Sequence, residues 1–304
     1  MHIAVTGATG FLGRYIVKHL LSTGHRCRCW YRPKSDRCGF EFANERIEWV
    51  PGALEDPNTF RSLCDGVDAV IHSALYRPGG LGFRAAGREA LDEFARINLL
   101  GSLSLMIRAR ECDVPRFVLI STCAVHEVIL GDRPLDETHP LWPKSHYGAH
   151  KAALEQFVHS FGYGEGWPIC ALRPTGIYGL AHPPSASRWF DIVRRVSAGE
   201  SFESDKGGKE VHAADVAKAT GLLLDADEGV IRGNSFNCYD RYVAEKTIAE
   251  MAREISGSRT EIRGENHGPK NQIDTTRIRE LGMAFGGEPL LRRTVEQLVT
   301  ACMR

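Results

Sequence analysis

Residues 2–14 read "HIAVTGATGFLGR", and this stretch decides the fold. A short apolar run ends at Gly7, and Gly10 and Gly13 follow at spacings of three before a helical pattern that continues to Thr23. The first glycine suits a tight turn, the second a close backbone approach to a pyrophosphate, and the third close packing of helix on strand. Because the unpaired N–H groups of a helix N-terminus attract phosphates, the stretch predicts dinucleotide binding. The alternative is a merely structural turn.

Short apolar runs alternate with longer helical patterns as far as about Gly179, where the rhythm breaks. Such alternation predicts an α/β fold with a doubly wound, mostly parallel (Rossmann) sheet that helices cover on both faces. We expect residues 1–178 to form the dinucleotide-binding domain, with residues 211–240 returning to it. Residues 179–210 and 241–304 are expected to form a small, mostly helical substrate-binding domain.

The composition is that of a globular protein, with 43% hydrophobic and 25% charged residues among 304. Because Lys+Arg and Asp+Glu both number 38, no net charge favours nucleic acid or an anionic membrane as a partner. The nine cysteines lack the close second pair that a zinc site requires, so we expect reduced thiols and no metal. The first strand begins almost at Met1, and no apolar run reaches membrane-spanning length, which favours a cytoplasmic protein.

Two segments, "YGAHK" from Tyr147 and "YVAEK" from Tyr242, place a tyrosine four residues before a lysine, as neighbours on one helix face. A nearby ammonium and an oxidised nicotinamide both favour the phenolate, so such a pair suits acid–base chemistry. Tyr147 follows the fifth predicted strand, and ligands collect at the carboxyl ends of parallel strands. We therefore predict that Tyr147 and Lys151 are the functional pair, and that Tyr242 and Lys246 serve in surface packing.

Seven segments carry a family resemblance, namely "TGATGFLG", "DAVIHSAL", "INLLGS", "FVLISTCAV", "YGAHK", "LRPTGIYG" and "VHAADVAKA". In order and spacing they are similar to the extended short-chain dehydrogenase/reductases, the NAD(P)-dependent epimerase/dehydratase family, over nearly the whole chain. The resemblance implies hydride transfer at a secondary alcohol or ketone carbon of a sugar or sugar-like small molecule. It also implies a homodimer that pairs through the helices around residues 98–111 and 145–161.

The resemblance assigns a role to each candidate catalytic residue. Tyr147 is the acid/base, and Lys151 supports it and binds the nicotinamide ribose. Thr122 aligns with the residue that holds the substrate oxygen, with Ser121 as the second choice. Asn98 matches an asparagine ahead of the active site, although an asparagine there could also hydrogen-bond a helix kink.

The cofactor is expected to be NADP in preference to NAD. Tyr31 and Arg32 stand where NAD-binding members carry an acidic residue, and a guanidinium can bind a 2′-phosphate with two hydrogen bonds. The alternative is that Arg32 is a solvated turn residue. Ala53 replaces an adenine-contacting aspartate, which leaves that contact to the backbone near Leu54. The other implied cofactor contacts are Gly7, Thr9, Gly10, Phe11, Leu12, Gly13, Ser73, Ala74, Tyr147, Lys151, Pro174 and Ile177.

Departures from the family's patterns bear on the reaction. Cys123 and Ala124 replace the Asp-Glu of the dehydratases, which argues against dehydration. Gly176 and Gly208 replace an asparagine and an arginine of the nucleotide-sugar enzymes, which weakens the case for a nucleotide-activated sugar. Epimerase and reductase both stay open, and the alternative is a non-catalytic NADP-binding regulator. The candidate substrate contacts are Arg77, His126, Gly176, Arg188 and Lys209, of which His126 also suits a structural role and Arg188 and Lys209 also suit surface charges.

Overall fold

The computed structural model describes residues 1–40, 45–77 and 87–303. The strands in these ranges are β1 (His2–Thr6), β2 (Arg26–Tyr31), β3 (Ile47–Pro51), β4 (Ala69–His72), β5 (Arg116–Ile120), β6 (Ile169–Pro174), β7 (Gly176–Tyr178), β8 (Phe202–Glu203), β9 (Gly207–His212), β10 (Ser235–Cys238), β11 (Arg241–Ala244) and β12 (Ile262–Arg263). The α-helices are α1 (Phe11–Ser22), α2 (Phe60–Cys64), α3 (Leu91–Ala95), α4 (Gly101–Glu111), α5 (His146–His159), α6 (Phe190–Ser197), α7 (Ala213–Asp225), α8 (Glu228–Ile231), α9 (Glu245–Ser256), α10 (Thr276–Glu280) and α11 (Gly287–Cys302).

Seven strands form one parallel sheet in the order β10-β6-β5-β4-β1-β2-β3. All six residues of β6 and four of five in β1 are buried, as strands covered by helices on both faces should be. The register sets Thr6 of β1 beside His72 of β4, so the turns that follow these two strands leave the same edge of the sheet. The predicted doubly wound α/β fold is confirmed.

The chain divides into two compact units. Unit 1 comprises Met1–Pro174, Ala217–Cys238 and Asp274–Met283, and unit 2 comprises Thr175–Val216, Tyr239–Ile273 and Ala284–Arg304. Unit 1 contains the whole seven-stranded sheet. Residues 274–283 lie in unit 1, whereas the sequence placed them in the smaller domain.

Each unit has a core of its own. In unit 1, Phe117 of β5 packs with Leu105 of α4 and Leu154 of α5, and all three side chains are fully buried. In unit 2, α6, α9 and α11 bury their apolar faces against one another, and Ile248 and Val295 in this cluster are fully buried. Both clusters keep the apolar stripe of an amphipathic helix out of water, which is what stabilises such helices in a folded chain.

Unit 2 holds more strand than the sequence suggests. β7, β9 and β11 form a three-stranded sheet, and β8 pairs with β12. Strand β8 lies in the polar stretch "GESFESDKGGKE", and β9 begins in it, although the sequence predicts no strand there. One expectation about this unit is wrong. Tyr242 lies in β11 and Lys246 in α9, so the second Tyr-Lys pair does not share a helix face.

Over the described ranges, no helix has both the length and the apolar character needed to cross a membrane. All nine cysteines are free thiols, and five of them are buried. Within the same residues, no three His, Cys, Asp or Glu side chains are grouped so as to hold a metal ion.

Candidate active site

The glycine turn has the shape that its sequence predicts. Gly7 adopts a positive φ of 68°, and a Cβ there would lie 2.9 Å from the backbone nitrogen of Ala74. A Cβ on Gly13 would overlap the carbonyl oxygen of Gly7, so α1 can approach β1 this closely only with glycine. Gly10 precedes α1 without a side-chain cap from the described residues, which leaves the first N–H groups of α1 for a ligand. Thr9, Phe11 and Leu12 belong to the same turn.

Thr6, which the sequence analysis did not single out, joins the glycine turn to the end of β4. Its hydroxyl oxygen accepts hydrogen bonds from the backbone nitrogens of Ser73 and Ala74, both at 3.1 Å. The hydroxyl proton is thereby left for Nδ1 of His72 at 2.8 Å, and Nε2 of His72 donates to Ser102 at 2.8 Å. Burial lowers the pKa of His72 to about 3, so the ring is neutral. This series of hydrogen bonds fixes Ser73 and Ala74, both predicted cofactor contacts, beside Gly7.

Three arginines surround the turn that follows β2. Arg32 is exposed, and its backbone nitrogen donates to Ser35 Oγ at 3.1 Å. Arg37, which the sequence analysis missed, places its guanidinium 4.4 Å from the centre of the Tyr31 ring. Arg14 is 8% exposed, and its guanidinium donates to the Thr9 carbonyl at 3.1 Å and to backbone carbonyls of residues 36 and 38. The buried Arg14 therefore connects the glycine turn by hydrogen bonds to the segment of residues 32–38 that follows β2.

Asn98 lies in a π-helical segment, Arg96–Leu100, between α3 and α4. Its amide nitrogen donates to the carbonyls of Tyr76 at 3.0 Å and Phe94 at 3.1 Å, and its amide oxygen accepts from Tyr76 N at 2.7 Å. Asn98 thus hydrogen-bonds the backbone of the irregular helical segment at Phe94. It also holds the backbone of Tyr76, which follows Ser73 and Ala74 in the sequence. Because both ends of its amide bind backbone, its observed role is positional.

Leu54 is buried, and its carbonyl oxygen faces the glycine at which α4 begins, Gly101. Ala53 precedes it in a turn closed by the hydrogen bond from Asp56 N to Ala53 O at 3.1 Å. A side chain on Gly101 would overlap the Leu54 carbonyl. The backbone near Leu54 is therefore fixed against α4.

Three of the predicted catalytic residues, Thr122, Tyr147 and Lys151, come together at the start of α5. Ser145 caps this helix, since its hydroxyl oxygen accepts from Gly148 N at 3.1 Å. Tyr147, in the first turn, forms a hydrogen bond with the Thr122 side chain. One turn further, Lys151 is 4% exposed and its Nζ donates to the carbonyl of Ile120 at 2.8 Å. The carboxyl end of β5 and the first two turns of α5 thus supply all three groups.

The electrostatics of this cluster favour a neutral phenol. Burial raises the pKa of Tyr147 to about 12, although the Thr122 hydrogen bond and the charge of Arg77 oppose that rise. Burial lowers the pKa of Lys151 to about 8, while Glu155 raises it. The side chains of the protein alone therefore keep Tyr147 protonated at neutral pH, as a proton donor, beside a mostly charged Lys151. Formation of the Tyr147 phenolate, which the sequence led us to expect, therefore requires a further positive charge near the phenol.

Ser121 and His126 are engaged in a buried ion-pair network instead. Glu155 and Arg173 form its centre, with Arg173 Nη2 at 2.6 Å from Glu155 Oε2. Ser121 donates to the other carboxylate oxygen, Ser235 donates to Oε2 at 3.0 Å, and Arg173 Nη1 donates to His126 Nε2 at 3.1 Å. Burial, with Arg173, lowers the pKa of His126 to about 4. The geometry favours Thr122 over Ser121 and gives His126 a structural role.

The substrate candidates of unit 2 lie around Glu210, which the sequence analysis missed. Gly176 of β7 stands opposite Glu210 of β9 in the sheet. Arg188 Nη2 donates to Glu210 Oε1 at 2.5 Å, and burial raises the pKa of Glu210 to about 7 while Arg188 opposes the rise. Lys209 is half-buried and pairs with Tyr242 across β9 and β11. Pro174 closes β6, and Ile177 lies in β7.

A family model described as "NAD dependent epimerase/dehydratase family" matches residues 3–238. The chain belongs to this family. The resemblance carried by its motifs is therefore confirmed, and the family is one of enzymes of the extended short-chain dehydrogenase/reductase type. The residues present also fit a dinucleotide, because the Gly7–Ala74 contact and the open N-terminus of α1 form a cradle that any side chain on Gly7 would fill.

The relatives span several reactions. The chain is 30% identical over 239 residues to a 4-hydroxy-2-methyl-3-oxo-4-farnesyl-3,4-dihydroquinoline-1-oxide ketoreductase of Stigmatella aurantiaca, a match that covers 75% of this chain and 65% of that protein. It is 28% identical over 200 residues to a 3 beta-hydroxysteroid dehydrogenase/Delta 5-->4-isomerase of Mycobacterium tuberculosis, a match that covers 63% of this chain and 51% of that protein. The chain thus spans less than two thirds of the length of these two relatives.

Among solved structures, the fold is shared with a UDP-glucose 4-epimerase from Thermotoga maritima, whose structure contains UDP-glucose. The TM-score is 0.80 over 99% of this chain and 98% of that one, at 21% identity. This likeness concerns the fold.

Proposed function

We propose that the protein is an NAD(P)-dependent oxidoreductase that acts at a secondary alcohol or ketone carbon, with Tyr147 as its acid/base. The observation that carries the proposal is the placement of Tyr147 beside Thr122, which lowers the pKa of the phenol, with the buried ammonium of Lys151 one helical turn away. A bound nicotinamide supplies the hydride and, when oxidised, a positive charge. A sugar or sugar-like substrate is the class that the sequence favours.

Each residue of the cluster has a separate task. In the reductive direction, the neutral phenol of Tyr147 donates its proton to the carbonyl oxygen of the substrate. Thr122 holds that oxygen and stabilises the charge that develops on it. Lys151, anchored on Ile120, supplies a fixed positive charge that favours the phenolate left behind. Asn98 holds the backbone of Tyr76 and so positions the segment that contains Ser73 and Ala74.

The reductive direction has specific support. Burial keeps the phenol protonated, which is the form that reduction requires. One relative, at 30% identity, is named for the reduction of a ketone. An epimerase stays open, and the two reactions differ in whether NADPH is consumed in proportion to product.

Replacing Tyr147 by phenylalanine tests the proposal. Loss of the proton donor should lower turnover by about 10²–10⁴-fold, the range for general acid–base groups, while dinucleotide affinity stays within threefold. The control is S121A, because Ser121 binds Glu155 rather than the phenol. Turnover is followed as NADPH absorbance with a panel of ring ketones and sugars. Full activity of Y147F would refute the role of Tyr147.

NADP is the proposed cofactor. Arg32 and Arg37 follow β2, and Tyr31 and Arg32 stand where NAD-binding members carry an acidic residue, so a 2′-phosphate would meet guanidinium groups there. Calorimetric titration of the purified protein with NADPH and NADH decides the preference. A tighter complex with NADH would overturn it.

A homodimer in the cytoplasm is the proposed state of the protein. Leu100, Ile107 and Phe157, on the helices expected to pair, are 55%, 42% and 38% exposed, which is costly for large apolar groups that stay in water. Nine free thiols suit a reducing compartment. Sedimentation showing only monomer at micromolar concentration would contradict the dimer.

A further inference from the structure

The carboxylate of Glu210 is enclosed by two glycines of unit 2. Glu210 is 1% exposed. A side chain on Gly176, in the neighbouring strand, would overlap its Oε2, and one on Gly208, two residues earlier in β9, would overlap its Oε1. The carboxylate thus fills the space that side chains at residues 176 and 208 would otherwise need. These are the two positions where nucleotide-sugar enzymes carry an asparagine and an arginine.

Glu210 also determines the charge available from Arg188. The guanidinium of Arg188 donates to Glu210 Oε1 at 2.5 Å, and its side chain is 44% exposed. The same guanidinium lies 5.5 Å from the ring centre of Trp189, a buried residue held at a positive φ of 67°. Strain of this kind persists where the surrounding contacts fix a local geometry. Arg188 is therefore held in place, at the protein surface, with its charge already paired.

A phosphate at the exposed side of Arg188 would gain little from this arrangement. The guanidinium attracts the phosphate, while the carboxylate behind it, which lies farther from the phosphate by the length of the ion pair, repels the phosphate and reduces the net attraction. The second oxygen of Glu210, Oε2, has no hydrogen-bond partner among the residues that the structure describes, so above the pKa of this carboxyl, about 7, no hydrogen bond to Oε2 offsets its negative charge. The pair therefore attracts an anion less strongly than an unpaired arginine would.

We propose that Glu210 is a specificity-determining residue that weakens the attraction of Arg188 for anions and so favours substrates without a phosphate or diphosphate group. The inference rests on the proposed function only in calling the ligand a substrate. It favours an uncharged alcohol or ketone as substrate over a nucleoside-diphosphate sugar. Arg188 and Glu210 act here on binding and take no part in the proton transfer.

Binding of UDP and uridine to the full chain tests the inference, since the two probes differ by the diphosphate. In the wild type, UDP should bind no more than about threefold more tightly than uridine. E210Q keeps the size of the side chain but frees Arg188, so its affinity for UDP should rise at least tenfold while that for uridine stays unchanged. The double variant R188Q/E210Q should lose this gain.

R188Q alone provides a second measurement that does not alter the buried carboxylate. If Glu210 already weakens the attraction of Arg188 for anions, R188Q should change UDP affinity less than threefold. A tenfold preference of the wild type for UDP over uridine, or a tenfold loss of UDP affinity in R188Q, would overturn the inference. So would an unchanged UDP-to-uridine ratio in folded E210Q. Because only binding is measured, these outcomes are independent of whether Y147F retains turnover.

Discussion

Replacing Lys151 by methionine should change how the stability of the protein depends on pH. Lys151 is 4% exposed, and burial lowers its pKa from 10.5 to about 8. The folded state therefore binds this proton less tightly than the unfolded chain does. The resulting destabilisation is complete below pH 8 and disappears as the pH rises from 8 toward 10.5, so this group makes the wild type more stable at higher pH.

The magnitude follows from the pKa values. The full difference corresponds to about 3 kcal/mol, at about 1.4 kcal/mol for each pKa unit. Between pH 7 and 9.5, about 2 kcal/mol of it should be recovered. The methionine also leaves the Ile120 carbonyl without its 2.8 Å hydrogen bond, at a cost of about 1–3 kcal/mol. That cost does not depend on pH, so it cancels when the two variants are compared at two pH values.

The assay is urea denaturation of wild type and K151M at pH 7.0 and 9.5. We expect the free energy of unfolding of the wild type to rise by about 2 kcal/mol relative to K151M. The upper pH stays below 10 because the raised pKa of Tyr147 gives the opposite slope above that value.

The matched control is K246M. Lys246 also donates to one backbone carbonyl, that of Gly264, at 2.8 Å, but it is only half-buried, so we expect a much smaller change. A wild-type gain below about 0.5 kcal/mol would refute the reasoning about the buried ammonium. K151M should also lose turnover, and retained turnover would remove Lys151 from the proposed mechanism.

Two further substitutions test the packing of the site. G13A places a methyl group against the Gly7 carbonyl, so it should lower the free energy of unfolding by about 1–3 kcal/mol and abolish dinucleotide binding. G164A, whose new methyl group would meet open space, should change neither property. Thermal unfolding measures the stability and NADPH titration the binding, and unimpaired NADPH binding by G13A would count against the predicted cradle. E155A leaves Arg173 buried without its partner and should cost about 3–5 kcal/mol in urea denaturation, and a loss below 1 kcal/mol would contradict the importance of the network.

The sequence predicts the sheet well because its strands are long and buried. β1, β5 and β6 consist almost wholly of buried residues, so an apolar run marks each of them. β8 and β12 are two residues each, and Phe202 pairs with Ile262, sixty positions along the chain. No local pattern can indicate a strand whose only partner lies so far away.

The two Tyr-Lys pairs show what spacing can and cannot establish. A separation of four residues puts side chains on one face only if both belong to a helix. Tyr147 and Lys151 do, whereas Tyr242 lies in a strand and Lys246 in the helix after it. Position after the fifth strand, rather than spacing, was therefore the observation that distinguished them.

The network around Glu155 was not predictable from motifs alone. A glutamate in a helix and an arginine in a strand usually read as surface residues, yet Glu155 is 0% and Arg173 1% exposed. The available signals were weak: Arg173 follows four apolar residues in "ICALRP", and Glu155 continues the four-residue spacing of Tyr147 and Lys151. Only the packed structure shows that this ion pair takes the hydroxyl of Ser121 and so leaves Thr122 beside the phenol.

Glycine in place of a functional side chain does not mean that the space is empty. From the sequence, Gly176 and Gly208 read as two losses, of an asparagine and of an arginine. In the structure the two glycines make room for one carboxylate, so the departures form a single replacement of positive charge by negative. Arg188 then supplies a cation nearby, but it is already bound to that carboxylate. Since a guanidinium paired with a carboxylate attracts a further anion less strongly than an unpaired one, an arginine near a site is weaker evidence for an anionic ligand when such a partner is present.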